Sequence, residues 1–95
     1  MNKAELVEHI ASTHEIDKTK AESILNTVLD TIVDSVARGE LVRLRDFGTF
    51  EAFDAKPRVG FVPGTTERIS IPAMRRARFT PGAQFKRKVS SNEQA

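Results

Sequence analysis

The segment Arg45–Ile71 constrains the fold most strongly, because it holds two extended runs on either side of a tight turn. The turn falls at residues 62–65, where Pro63 presets φ at the first central position and Gly64 allows positive φ at the second. This pattern predicts a β-hairpin. Residues 54–68 carry too little apolar alternation to bury one face. We therefore expect the hairpin to project from the body as an arm that grips a partner.

Charged side chains indicate the chemistry of that partner. The arm carries Lys56, Arg58 and Arg68, and charge is divided unevenly along the chain. Residues 1–40 have a net charge of −4 and residues 41–95 a net charge of +6, which together give the overall +2. Such polarisation indicates either a basic working surface on the second half, or charges that only keep a small protein in solution.

Two helices are predicted before the arm. Asn2 and Glu5 have the spacing of a capping box, and the first helix is expected to end near His14. Asp17 is a strong N-cap for the second helix, which Gly39 is placed to end. The apolar stripe of the second helix is wider than one short partner helix covers, so it requires a sheet or a second copy of itself. Its members are Ala21, Ile24, Leu25, Val28, Leu29, Ile32, Val33 and Val36.

Strands flank the arm, and a short helix follows them. The inward positions of the strands are Val42, Leu44, Phe50, Ala52, Ala77 and Phe79. Arg76 and Arg78 take the outward phase of the last strand, either as a solvated face or as an extension of a cationic surface. Thr80 is expected to cap the last helix, with Pro81 at its first position.

These elements predict one α+β domain over residues 1–90. It comprises a helical hairpin at 1–40, a three-stranded sheet with a protruding arm at 41–80 and a C-terminal helix at 81–90, followed by a polar tail at 91–95. The apolar content of 39% is modest for 95 residues. A core shared between two chains is therefore expected.

Several short motifs are spread over the chain, and their spacing is informative. They are the Met1-Asn2-Lys3 start, Phe47-Gly48-Thr49-Phe50, Arg58 with Gly60, Pro63 with Thr65, Ile69 and Ile71, and Phe79 followed by Gly82. No one of them is specific. Together they resemble the HU/IHF family of bacterial histone-like DNA-binding proteins, and the resemblance covers nearly the whole chain.

The resemblance implies an intertwined dimer with a helical base, a saddle made of the sheets, and two β-hairpin arms that embrace the minor groove of DNA. It implies that Pro63 wedges between base pairs and kinks the duplex. The other implied arm contacts are Arg58, Gly60 and Thr65, and the implied phosphate contacts on the flanks are Lys3, Arg75 and Lys86. The implied aromatic dimer core consists of Phe47, Phe50 and Phe79.

The tip of the arm departs from the family pattern. Phe61 and Val62 stand where the family usually has Arg-Asn, and Thr66-Glu67 where it usually has Gly-Lys. Phe61 can enlarge the wedge or stack on the arm itself, and the second is favoured. With these positions included, the candidate DNA-binding residues are Lys3, Lys56, Arg58, Gly60, Phe61, Pro63, Thr65, Arg68, Arg75, Arg76, Arg78 and Lys86.

Other classes of protein lack support in the sequence. There is no cysteine, no apolar run near the ~20 residues of a membrane span, and no signal-peptide pattern. His9 and His14 lie about 140° apart around a helix, so they cannot converge on a metal ion. No catalytic constellation is present. We therefore expect no enzyme activity, no metal, no cofactor and no membrane association.

The leading hypothesis is a homodimeric, cytoplasmic protein of the nucleoid that binds double-stranded DNA and bends it with little sequence specificity. A heterodimer with a sister subunit fits the same pattern. The alternative hypothesis, favoured by Phe61, Val62 and Glu67 in the arm, is a divergent HU-like scaffold that acts mainly through protein contacts and binds DNA weakly.

Overall fold

Helices and strands follow one another in the predicted order. The computed structural model describes residues 1–71 and 74–91. Its elements are α1 (Lys3–His14), α2 (Lys18–Ala37), β1 (Val42–Leu44), β2 (Gly48–Ala55), β3 (Arg58–Phe61), β4 (Arg68–Ile71), β5 (Met74–Pro81) and α3 (Ala83–Ser91). The predicted α+β class is confirmed. Two compact units make up the chain, Met1–Asp34 and Ser35–Ala95. None of the helices within the described ranges combines the length and apolarity needed to cross a membrane.

The predicted starts of α1 and α2 are both confirmed by side-chain caps. Asn2 Oδ1 accepts a hydrogen bond from the Glu5 amide at 2.9 Å, and the Asn2 amide donates to Glu5 Oε1 at 3.1 Å. Asp17 Oδ1 accepts from the Lys20 amide at 2.7 Å. These bonds satisfy amide groups that have no partner within their own helix.

Gly39 ends α2, as predicted. Its φ is +87°, in the left-handed region that glycine enters without a steric penalty. The Gly39 amide donates to the Val36 carbonyl and the Glu40 amide to the Ser35 carbonyl, both at 2.9 Å. This pair of bonds is a Schellman motif, which satisfies carbonyl groups in the last turn of the helix.

The first unit has a small apolar core and a large apolar remainder. Val7 and Ala11 of α1 pack with Ala21 and Leu25 of α2. Four other large apolar side chains of this part of α2 are exposed by 41–64%, and these are Ile24, Val28, Leu29 and Val33. The surplus apolar face that the sequence predicts is therefore present.

An antiparallel sheet in the order β1-β2-β5 forms the body of the second unit. In its register Phe50 lies opposite both Val42 and Phe79, and Glu51 lies opposite Arg78. Opposed residues share a face and successive residues alternate between faces. Among the described residues β3 and β4 pair only with each other, so the predicted arm is confirmed as a separate two-stranded hairpin.

The start of the last helix differs from the prediction. Pro81 is the final residue of β5, opposite Gly48, and α3 begins at Ala83. The Gly82 amide donates to the Phe47 carbonyl at 2.9 Å, while the Gly82 carbonyl accepts from the Lys86 amide at 3.0 Å. Thr80 and Pro81 are therefore paired in the sheet and do not form the start of α3. At its other end α3 includes Ser91, and residues 92–95 of the predicted tail lie outside the described residues.

Close packing at Gly48 yields a test of the sheet. A Cβ atom there would lie 2.5 Å from Cε1 of Phe79 and 2.7 Å from the backbone oxygen of Thr80. Since backbone cannot move aside as a flexible side chain can, Gly48→Ala is expected to lower the free energy of unfolding by about 1–3 kcal/mol. Urea denaturation followed by circular dichroism measures this loss.

Gly64→Ala is the matched control for Gly48→Ala. Gly64 has φ +79° but nothing within 4 Å of its Cβ position. The substitution strains only the tip of the arm, and the unfolding midpoint of the body should stay close to that of the parent chain. Equal losses from the two substitutions would contradict the packing argument at Gly48.

Candidate functional site

One face of the β1-β2-β5 sheet carries an aromatic cluster. The ring centroids of Phe50 and Phe79 are 4.8 Å apart across the β2–β5 pair. Phe85 of α3 lies edge-on to Phe47 at 5.5 Å and to Phe79 at 5.8 Å, so α3 packs on this face. The predicted core residues Phe47, Phe50 and Phe79 are thus brought together, and Phe85 joins them. Yet Phe47 is 46% exposed and Phe85 37% exposed.

The opposite face of the same sheet is cationic. Strand alternation and register place Arg43, Arg76 and Arg78 there, together with Glu51 and Phe53. All three arginines are exposed. Arg76 and Arg78 are therefore on a face of the second unit that α3 does not cover.

Arg78 is held at two points on this cationic face. Its Nη2 donates to Glu51 Oε1 at 2.7 Å, and its guanidinium carbon lies 4.5 Å from the centre of the Phe53 ring. Glu51 and Phe53 were missed as functional positions in the sequence. Alternation from Phe50 gives their phase, but only the pairing of β2 with β5 shows that they meet Arg78.

Arg75 does not join this group. It shares the phase of Ala77 and Phe79 and lies opposite Asp54. Its guanidinium is near the end of α2, since a Cβ atom on Gly39 would lie 3.0 Å from Arg75 Nη2. Neighbouring arginines in the sequence are thus placed on opposite faces of the sheet.

The tip of the arm is a hydrogen-bonded turn with proline at its apex. The Val62 carbonyl accepts from the Thr65 amide at 3.1 Å and from Thr65 Oγ1 at 3.0 Å. Thr65 Oγ1 also accepts from the Glu67 amide at 3.2 Å. Pro63 and Gly64 occupy the central positions, as predicted, and Pro63 is exposed. Thr65, predicted as a DNA contact, therefore also fixes the turn.

Phe61 is largely exposed on the arm. Its side chain is 61% exposed, and Val59 on the same face is 62% exposed. The residue opposite Phe61 is Arg68, and a two-stranded arm has no third strand for the ring to pack against. Gly60 lies opposite Ile69 on the other face of the arm.

The remaining candidates are spread along the chain. Lys56 follows β2 at the base of the arm, Lys86 lies on α3, and Lys3 opens α1 in the first unit; all three are exposed. Of Arg58 the structure describes only the backbone, which pairs with that of Ile71. Within residues 1–71 and 74–91, no group of His, Asp and Glu side chains is arranged to hold a metal ion.

Comparison with known sequences and structures gives matches over nearly the whole chain. A family described as bacterial DNA-binding protein matches residues 1–90. The DNA-binding protein HU of a Nostoc species is 40% identical over 90 residues, covering 95% of this chain and 96% of that protein. HU of Thermotoga maritima is 38% identical over 89 residues, covering 94% of this chain and 99% of that protein.

Solved structures match over the same length. A cocrystal structure of Anabaena HU with DNA aligns with a TM-score of 0.87 at 40% identity, covering 95% of this chain and 98% of that one. The structure of HU from Thermotoga maritima aligns with a TM-score of 0.65 at 31% identity, covering 94% of this chain and 98% of that one.

The bonds of Thr65 yield a test of the arm tip. Thr65→Ala removes both side-chain hydrogen bonds, each worth about 0.5–1.5 kcal/mol. We expect amide exchange at Glu67 to accelerate several-fold by NMR, with the unfolding midpoint of the body unchanged. Thr65→Ser keeps the hydroxyl and should restore slow exchange. The neighbouring Thr66→Ala serves as the control, and an equal acceleration from it would contradict the role given to Thr65.

Proposed function

The chain belongs to the bacterial DNA-binding protein family, and we propose that it is an architectural protein that binds duplex DNA and bends it with little sequence specificity. The observation that carries the proposal is the arm. It is a separate two-stranded hairpin with a rigid, exposed proline at a hydrogen-bonded tip. The HU structure that it matches with a TM-score of 0.87 is a complex with DNA.

Pro63 supplies the wedge. Insertion of apolar side chains between base steps, which kinks the duplex, is the established mode of HU and related minor-groove proteins. A proline ring has no torsional freedom to lose on insertion, and the Thr65 bonds support its position. Phe61 lies two residues away with an exposed ring, so it adds apolar surface beside the wedge.

Cationic side chains supply the affinity. Lys56, Arg58 and Arg68 belong to the arm or its base, and in this proposal they bind the phosphates that border the groove. Arg43 and Arg76 lie on the exposed face of the sheet. Contacts to phosphates carry no direct sequence information. This accounts for the low specificity in the proposal.

A second copy of the chain supplies the missing core. In the described residues the buried apolar side chains are only Val7, Ala11, Ala21 and Leu25. The exposed stripe of α2 and the half-exposed aromatic cluster of Phe47, Phe50 and Phe79 would both be covered in a dimer, which the resemblance to HU implies. We infer a homodimer, with a sister subunit as the other partner that fits.

We infer that the protein works in the cytoplasm, on the nucleoid.

A DNA-bending protein without a reaction to catalyse needs no nucleophile, acid–base pair or cofactor. Its work is done by binding energy, which offsets the cost of unstacking and bending the duplex.

Salt dependence tests the proposal of DNA binding. If about four phosphates are neutralised, the affinity for a short random duplex should fall roughly a hundredfold between about 50 and about 200 mM salt, because counterions are released on binding. Gel-shift titrations at both concentrations measure this fall. An affinity independent of salt, or no binding at low salt, would contradict the proposal, and the second result would favour the protein-binding scaffold.

Substitution of the tip proline tests bending. Pro63→Ala should reduce the bend angle, measured by energy transfer between the ends of a labelled duplex, because the smaller side chain replaces less base stacking. The salt dependence should change little, since no cation is removed. Pro57→Ala, at the base of the same arm, is the matched control and should bend DNA normally. An unchanged bend with Pro63→Ala would contradict the wedge.

A further inference from the structure

The cations of the sheet face are not equally available to DNA. Arg43 and Arg76 have no carboxylate partner in the described parts of the chain, whereas Arg78 donates to Glu51 at 2.7 Å. This is the shortest of the ion pairs among those residues, the others being Lys18–Glu8 at 3.1 Å and Arg38–Glu40 at 3.3 Å. One cation of the face is therefore already neutralised before DNA arrives.

Two features make this pair more persistent than an ordinary surface pair. Glu51 lies directly opposite Arg78 in the strand register, so the backbone holds the two side chains together. The Phe53 ring, 4.5 Å from the guanidinium carbon, fixes the guanidinium from a second side. The pair nevertheless remains within reach of a ligand, because the Arg78 side chain is 49% exposed.

We propose that Glu51 is a negative determinant of DNA affinity, because its carboxylate occupies the Arg78 guanidinium that a phosphate would otherwise bind. The inference rests on the proposed function. A phosphate at this face must displace the carboxylate, and it also meets that carboxylate's negative charge at short range. Glu51 thus keeps binding on the sheet face weaker than its three arginines would make it.

Glu51→Gln tests the inference with nearly unchanged shape. Removing the charge frees Arg78, so the affinity for a short duplex should rise about tenfold at low salt. The slope of log K against log salt should become steeper by roughly 0.9 for each phosphate gained, which is about one to two units for a dimer with two sheet faces. Fluorescence anisotropy titrations at several salt concentrations give both quantities.

Glu8→Gln is the matched control. It makes the same change in net charge and releases Lys18 from an exposed ion pair. This pair lies in the first unit, where Lys3 is the one candidate DNA contact. A general gain in positive charge would raise the affinity in both variants. We expect the steeper salt slope only with Glu51→Gln, and the same steepening with Glu8→Gln would overturn the inference.

A double-mutant cycle with Arg78→Gln isolates the pair. The gain from Glu51→Gln should disappear when residue 78 is Gln, because no cation is then released. A gain in affinity that persists in the double variant would overturn the inference. A loss of affinity in Glu51→Gln alone would also overturn it, because Glu51 would then be a residue that positions Arg78 for DNA. If the parent chain shows no salt-dependent binding, the proposed function fails instead.

Discussion

The pairing of β2 with β5 is the interaction on which the second unit depends. It extends over eight residues on each strand and sets Phe50 against Phe79, with their rings 4.8 Å apart. Gly48 is required at one end of it because the Phe79 ring and the Thr80 backbone leave no room for a side chain. At its other end the pairing extends to Ala55 opposite Met74, and the arm lies between these two residues in the sequence.

Successive residues in a strand point to opposite faces of the sheet, so the β2–β5 pairing gives the sheet one aromatic face and one cationic face. The aromatic face packs on α3 and leaves its rings partly exposed, whereas the other face carries Arg43, Arg76 and Arg78. On the second face Glu51 neutralises the charge of Arg78. The net charge of the chain does not reveal this local pairing.

Local signals were predicted well because the interactions that decide them span only a few residues. The caps at Asn2 and Asp17, the glycine at the end of α2 and the turn at Pro63 all depend on bonds between residues close in sequence. The start of α3 was predicted wrongly, although Thr80 and Pro81 are good helix-starting residues. Pairing of Pro81 with Gly48, far away in sequence, extends the strand past them.

The sequence by itself therefore determined the order of elements, the apolar phase of each and the hairpin with proline at its tip, since these follow from backbone preferences and side-chain periodicity. It also carried the motifs that identify the family. Only the tertiary structure decided that Phe61 is exposed, and that Arg78 is held by Glu51 and Phe53. The contacts of Arg78 depend on strand register, which brings together residues more than twenty positions apart and leaves no mark in either strand alone.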